Sequence, residues 1–139
     1  MSLDRRDVLK LAALALAATT TGAQAEAAPA DTARPQRAAR PLDLLILGGT
    51  GLTGPHQVRY ALARGHRVTI FNRGRKQPEW PGDVQQLLGD RDTNDYASIK
   101  AEVAKGRRWD AVIDNPSSVP VWIRDAAKVL KGHVGGYTM

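Results

Sequence analysis

The sequence predicts an α/β fold, a parallel sheet with flanking helices, and three observations carry that expectation. From Leu42 onward, short apolar runs of strand length alternate with segments of helical spacing. No obvious hairpin signal separates those runs, so the strands need crossovers rather than tight turns. A glycine-rich stretch, "GGTGLTG" (48–54), turns the chain between the first run and the first helix.

The first strand is "LDLLIL" (42–47), a nearly continuous apolar run bounded by Pro41 and Gly48. The helix "PHQVRYALARG" (55–65) follows, with Pro55 in its first turn, Val58 and Leu62 four apart on one face, and Gly65 able to end it in a left-handed conformation. "HRVTIF" (66–71) supplies a second strand of β-branched and aromatic residues, completing a βαβ unit. "VQQLLGD" (84–90) reads as a third strand and "NDYASIKAEVAKG" (94–106) as a helix with Ile99 and Val103 on one face. "WDAVID" (109–114) is a fourth strand, and "VPVWIRDAAKVLKG" (119–132) a helix with Ile123, Ala127 and Leu130 aligned. "HVGGYTM" approaches a fifth strand, so the sheet is expected to be truncated at about that point, leaving an open edge.

Ahead of this domain the chain has a different character. Arg5-Arg6 precedes Val8-Leu9-Lys10, an apolar stretch runs from Leu11 to Ala18, and Ala23-Gln24-Ala25 offers a small-x-small cleavage pattern. The arrangement resembles a twin-arginine export signal: Arg5, Arg6, Leu9 and Lys10 match, while Asp4 and Val8 depart from the usual Ser/Thr and Phe. General secretory export and an ordinary amphipathic helix are the alternatives. The expectation is a signal peptide over 1–25, a flexible Ala/Pro/Arg linker over 26–41, and a partial nucleotide-binding domain over 42–139 in an exported protein of the bacterial periplasm or extracellular space. The apolar stretch falls well short of the roughly 20 residues that span a bilayer, so no permanent membrane anchor is expected. The export machinery is then one partner.

Composition removes several function classes. The sequence has no cysteine, which excludes disulfides, thiolate metal sites and a cysteine nucleophile. The net charge is +6, but Lys and Arg are scattered and aromatics make up only 5%, so no nucleic-acid partner is expected. His56, His66 and His133 lack ligand spacing, so no metal site is expected. Ser117-Ser118 lacks the flanking glycines of a nucleophile elbow.

The glycine turn parses as Gly49-x-Gly51-x-x-Gly54 or as Gly48-x-x-Gly51-x-x-Gly54. Both follow a strand and open a helix, the context of a dinucleotide-binding, Rossmann-like fold. An early glycine permits the tight turn, Gly51 lets backbone approach a pyrophosphate, Gly54 lets helix pack on strand, and the helix N-terminus offers free N–H groups. Gly48, Gly49, Thr50, Gly51, Leu52, Thr53 and Gly54 are therefore candidate cofactor-binding residues. No Lys-Ser/Thr pair follows Gly54, which disfavours a P-loop. After the second strand, "FNRGRK" places Asn72 where an acid would hold an NAD ribose, with Arg73, Arg75 and Lys76 beyond it. Cationic side chains there suit a 2′-phosphate, so NADP(H) is expected in preference to NAD(H), with a solvated charged turn as the alternative.

"GGTGLTG", "FNRGR", "GDRDTNDY" and "DAVIDNPS", each following a strand or closing one, together resemble the N-terminal half of an extended or atypical short-chain dehydrogenase/reductase of the NAD-dependent epimerase/dehydratase group. The resemblance covers roughly residues 42–139. It implies that Asp90 lies at the adenine and that Asn115, with Pro116, lies beside the nicotinamide ribose. Asp90 equally suits a turn or helix cap, and Asn115-Pro116 a turn initiator. The resemblance also calls for a catalytic Tyr-x-x-x-Lys. Only Tyr96-x-x-x-Lys100 has the literal spacing, on the helix after the third strand, where an exposed i, i+4 pair is the simpler reading. No catalytic residue is therefore assigned. Three readings stay open: the cofactor-binding part of a reductase, epimerase or dehydratase, a non-catalytic NADP(H) sensor or scaffold, and a nonfunctional remnant.

Overall fold

The computed structural model describes residues 34–115 and 118–139. The expected signal peptide, most of the expected linker, Pro116 and Ser117 lie outside the described residues. Five strands form one sheet: β1 (Asp43–Leu47), β2 (Arg67–Asn72), β3 (Val84–Leu88), β4 (Trp109–Asp114) and β5 (Val134–Thr138). They stand in the order β3-β2-β1-β4-β5, and every pairing is parallel. Helices α1 (Gly54–Ala63), α2 (Ala97–Ala104) and α3 (Pro120–Leu130) complete the domain. This is the Rossmann-like α/β architecture that the alternating runs imply.

The apolar run of β1 is continuous because both of its faces are covered. Leu45 and Leu47 join Phe71, Leu87, Ile99, Val112, Ala126 and Leu130 in one core, on the side of α2 and α3. Leu44 and Ile46 join Val58, Ala61, Val68 and Ile70 in the other, on the side of α1. Period-two alternation along the strand thus assigns one residue in two to each layer.

The crossover from β2 to β3 contains no helix. Gly74, Pro78, Pro81 and Gly82 interrupt helical propagation within it. Trp80 fills part of the missing helix's place by packing on the α1-side core, with the Arg59 guanidinium 5.7 Å from its ring centre.

Three expectations change. Tyr96 is not on an exposed face: it is buried, stacks on Phe71 with ring centres 5.5 Å apart, and donates its hydroxyl proton to the Trp122 carbonyl at 3.2 Å. Helix α2 starts at Ala97 rather than 94, because Asn94 adopts φ 55° and the Asp95 carboxylate accepts from the Ala97 N–H. On α3, Ala126 rather than Ala127 faces the core, since Ile123, Ala126 and Leu130 trace the i, i+3, i+7 stripe. The described part of the expected linker, 34–41, has no helix or strand, yet the Ala38 N–H donates to the Arg64 carbonyl at 2.9 Å and Arg40 pairs with Asp110.

Candidate cofactor site

The carboxyl ends of the first four strands converge on a cleft of about 490 Å³. In this strand order the direction of winding reverses between β1 and β4, and the crevice outside the strand ends there is where open α/β sheets take ligands. Gly48 follows β1, Phe71 and Asn72 end β2, Gly89 and Asp90 follow β3, and Asn115 follows β4.

The glycines of the turn have separate causes. Gly48 has φ +76°, its N–H donates to the Phe71 carbonyl, and a Cβ there would run into the backbone carbonyl of Asn115. A side chain at Gly54 would run into the backbone of Gly49. The protein's own packing therefore requires both. Gly51 is different: a Cβ there would meet only the Gly48 carbonyl oxygen, at 3.5 Å. Among the described residues no side chain caps α1, and its first turn carries no acid, so its amino end remains open to an anion.

Eight expected site residues line the cleft together: Gly48, Thr50, Gly51, Asn72, Arg73, Arg75, Asp90 and Asn115. Gly49, Leu52, Thr53 and Gly54 do not border it; Gly49 and Gly54 are buried beneath the turn, and Leu52 projects into solvent, 94% exposed. Asn72 holds the next turn, its Oδ1 accepting from the Gly74 N–H at 2.7 Å and Gln86 Nε2 at 2.8 Å. Its Nδ2 is buried without a partner among the described residues. Asp90 performs the turn role, its Oδ1 accepting from the Asp92 N–H at 3.0 Å, and also lines the cleft. Asn115 extends the pairing of β4 with an N–H to the Leu47 carbonyl, and its Nδ2 donates to Gln57 Oε1 of α1 at 2.6 Å.

Sequence reasoning missed Arg91 and Trp122, which also line the cleft. Arg91 makes a two-pronged ion pair with Asp114 at 2.5 and 3.0 Å, and its guanidinium lies 5.1 Å from the Trp122 ring centre. The Tyr137 hydroxyl of β5 donates to the same Asp114 carboxylate. Burial, then the hydrogen bond to and charge of Asp114, push the Tyr137 phenol well above its ordinary value. Burial also raises Tyr96. The available signal was Asp114 itself, an acid closing an apolar strand, which demands a buried cation. Nothing in sequence spacing says which cation answers it.

The cleft fits a dinucleotide in kind: it combines a bare backbone turn, an open helix amino end, and Arg73, Arg75 and Lys76 on one rim. Among the described residues, no cluster of His, Asp and Glu could hold a metal ion, and no helix is long and apolar enough to cross a membrane.

Residues 44–138 match the profile of the NAD dependent epimerase/dehydratase family, and the chain belongs to that family. The fold is similar to that of the Bordetella bronchiseptica enzyme WbmG, solved in complex with NAD, at 14% identity and TM-score 0.52, over 66% of this chain and 34% of that one. A short chain dehydrogenase family protein from Francisella tularensis aligns at 12% identity and TM-score 0.48, over 68% of this chain and 47% of that one. The MycE methyltransferase of mycinamycin biosynthesis, solved with Mg and SAH, aligns at 17% identity and TM-score 0.48, over 68% and 26%. The chain thus spans between a quarter and a half of the length of these structures. No curated protein matches the sequence.

Proposed function

We propose that the cleft binds NADP(H) in preference to NAD(H), and that the chain is the cofactor-binding portion of an epimerase/dehydratase- or reductase-type short-chain dehydrogenase. The observation that carries this reading is Gly51. It is the glycine that the fold's own packing does not require, and it borders the cleft where a pyrophosphate needs bare backbone. The cationic rim of Arg73, Arg75 and Lys76 supports the preference for a 2′-phosphate. When bound, such a cofactor supplies hydride transfer. This chain's residues would grip and orient it: the turn the pyrophosphate, Asn115 the nicotinamide ribose, Asp90 the adenine, and the rim the adenosine ribose.

A second reading, a non-catalytic binding module, is favoured by one observation. The single Tyr-x-x-x-Lys of the chain has its tyrosine buried in the core with its hydroxyl committed to a backbone carbonyl, and so assigns no proton donor to the cleft. Export of the protein is proposed on the paired Arg5-Arg6, the apolar stretch and the Ala23-Gln24-Ala25 pattern. A fusion to a reporter active only outside the cytoplasm tests it, with loss of signal expected on replacing both arginines by lysine.

Titration of the full-length chain with NADPH and NADH by calorimetry tests the cofactor reading. NADPH is expected to bind more tightly, and Arg73→Ala with Arg75→Ala to weaken NADPH by about tenfold while sparing NADH. Absence of binding by either cofactor would sink the reading. Equal binding, insensitive to the two arginines, would sink only the preference.

A further inference from the structure

Asn72 leaves the end of β2 without a carboxylate, yet the fold brings one to the same rim from the next turn. Asp92 places Oδ2 3.5 Å from Nη1 of Arg73, and both residues line the cleft. The hydrogen bond from the Asp92 N–H to Asp90 Oδ1 holds the turn that presents it. Among the described residues each is the other's only ion-pair partner, whereas Arg75 and Lys76 join no ion pair. The two side chains are 45% and 58% exposed, so the pair is weak and can be displaced.

We propose that Asp92 is a specificity-determining residue, an internal competitor that holds Arg73 against the 2′-phosphate and so narrows the margin between NADP(H) and NAD(H). The proposal rests on reading the cleft as a dinucleotide site. A phosphate arriving beside Arg73 must either displace the Asp92 carboxylate or stand next to a like charge. A cofactor with a 2′-hydroxyl brings no charge to that point and bears no such cost. Asp92 therefore penalises one cofactor and not the other. For an exposed pair the penalty corresponds to a factor of about two to five in affinity.

The test is calorimetric titration of the full-length protein and of Asp92→Asn, Arg73→Ala and the double variant, with NADPH and NADH, at low salt. The expected result is that Asp92→Asn tightens NADPH by about two- to fivefold without tightening NADH, and that the gain shrinks in the Arg73→Ala background. Raising the salt should shrink the gain. If Asp92→Asn leaves NADPH unchanged while Arg73→Ala weakens it, the competitor is overturned and the cofactor reading stands. A gain that persists in full without Arg73, or appears equally for NADH, overturns it too. If neither cofactor binds the wild-type chain, both readings fall together.

Discussion

Arg91 and Asp114, 23 residues apart, close a two-pronged ion pair in the wall of the cleft, with the guanidinium side chain 8% exposed and the carboxylate fully buried. The pair ties the turn after β3 to the end of β4, and Tyr137 adds β5 to the same knot. Replacing the carboxylate would leave a buried cation with its main partner gone. We expect Asp114→Ala to lose about 3–5 kcal/mol in urea unfolding. A loss below about 1 kcal/mol would show that the pair does not hold these strand ends.

The Tyr137 phenol gives this knot a pH signature. Its folded value lies above the 10.0 of an unfolded tyrosine, so between the two the native state keeps a proton that the unfolded chain has released. Its stabilisation is complete below about pH 10 and is lost as pH rises through the folded value. Melting temperature measured from pH 8 to 11 should fall above about pH 10, and more shallowly in Tyr137→Phe. Parallel curves for the two proteins would contradict this.

The glycine turn predicts three different outcomes for one substitution. Gly51→Ala makes no more than an ordinary contact with the Gly48 carbonyl oxygen and should change stability by less than about 1 kcal/mol while weakening NADPH binding. Gly54→Ala should cost about 1–3 kcal/mol or more through overpacking against Gly49. Gly48→Ala combines a left-handed φ with a clash on Asn115 and should be at least as costly. Thermal melts alongside titrations separate them, and equal costs at all three would refute the division.

Trp122 should report binding. Of the three tryptophans, Trp109 is buried in the core and Trp80, within the β2–β3 crossover, packs on the α1-side core, while Trp122 borders the cleft. Saturation with the oxidised cofactor should change tryptophan emission in the wild-type chain, and Trp122→Phe should abolish most of that change. A full response in the variant would place the ligand elsewhere.

The sheet and the turn were legible because both are written in local sequence: β1 as an unbroken apolar run, α1 by Pro55 and Gly65, the turn by its glycine spacing. Gly48 and Asn72, at the ends of β1 and β2, were legible for the same reason, since the α/β topology sends strand ends to one edge, whereas Asp90 and Asn115 were named only through the family resemblance. Arg91 and Trp122 were not, because their pairing with Asp114 and with each other depends on turns whose direction no periodicity encodes. Tyr96 was misjudged for a related reason: Asn94 in a left-handed conformation and the turn bond from the Ala97 N–H to Asp95 precede a helix that begins only at Ala97, and the Tyr96 ring lies inward on Phe71.

The β2–β3 crossover, a coil anchored by Trp80 instead of a helix, separates two kinds of change. Its first residues, Arg73 to Lys76, form the cationic rim, while its later residues secure it to the α1 layer. Because no helical register links the two ends, residues on the rim can be exchanged, added or lost without rotating the anchor. A change of charge at Arg73, Arg75 or Lys76 is thereby uncoupled from the packing of Trp80 on the α1 layer.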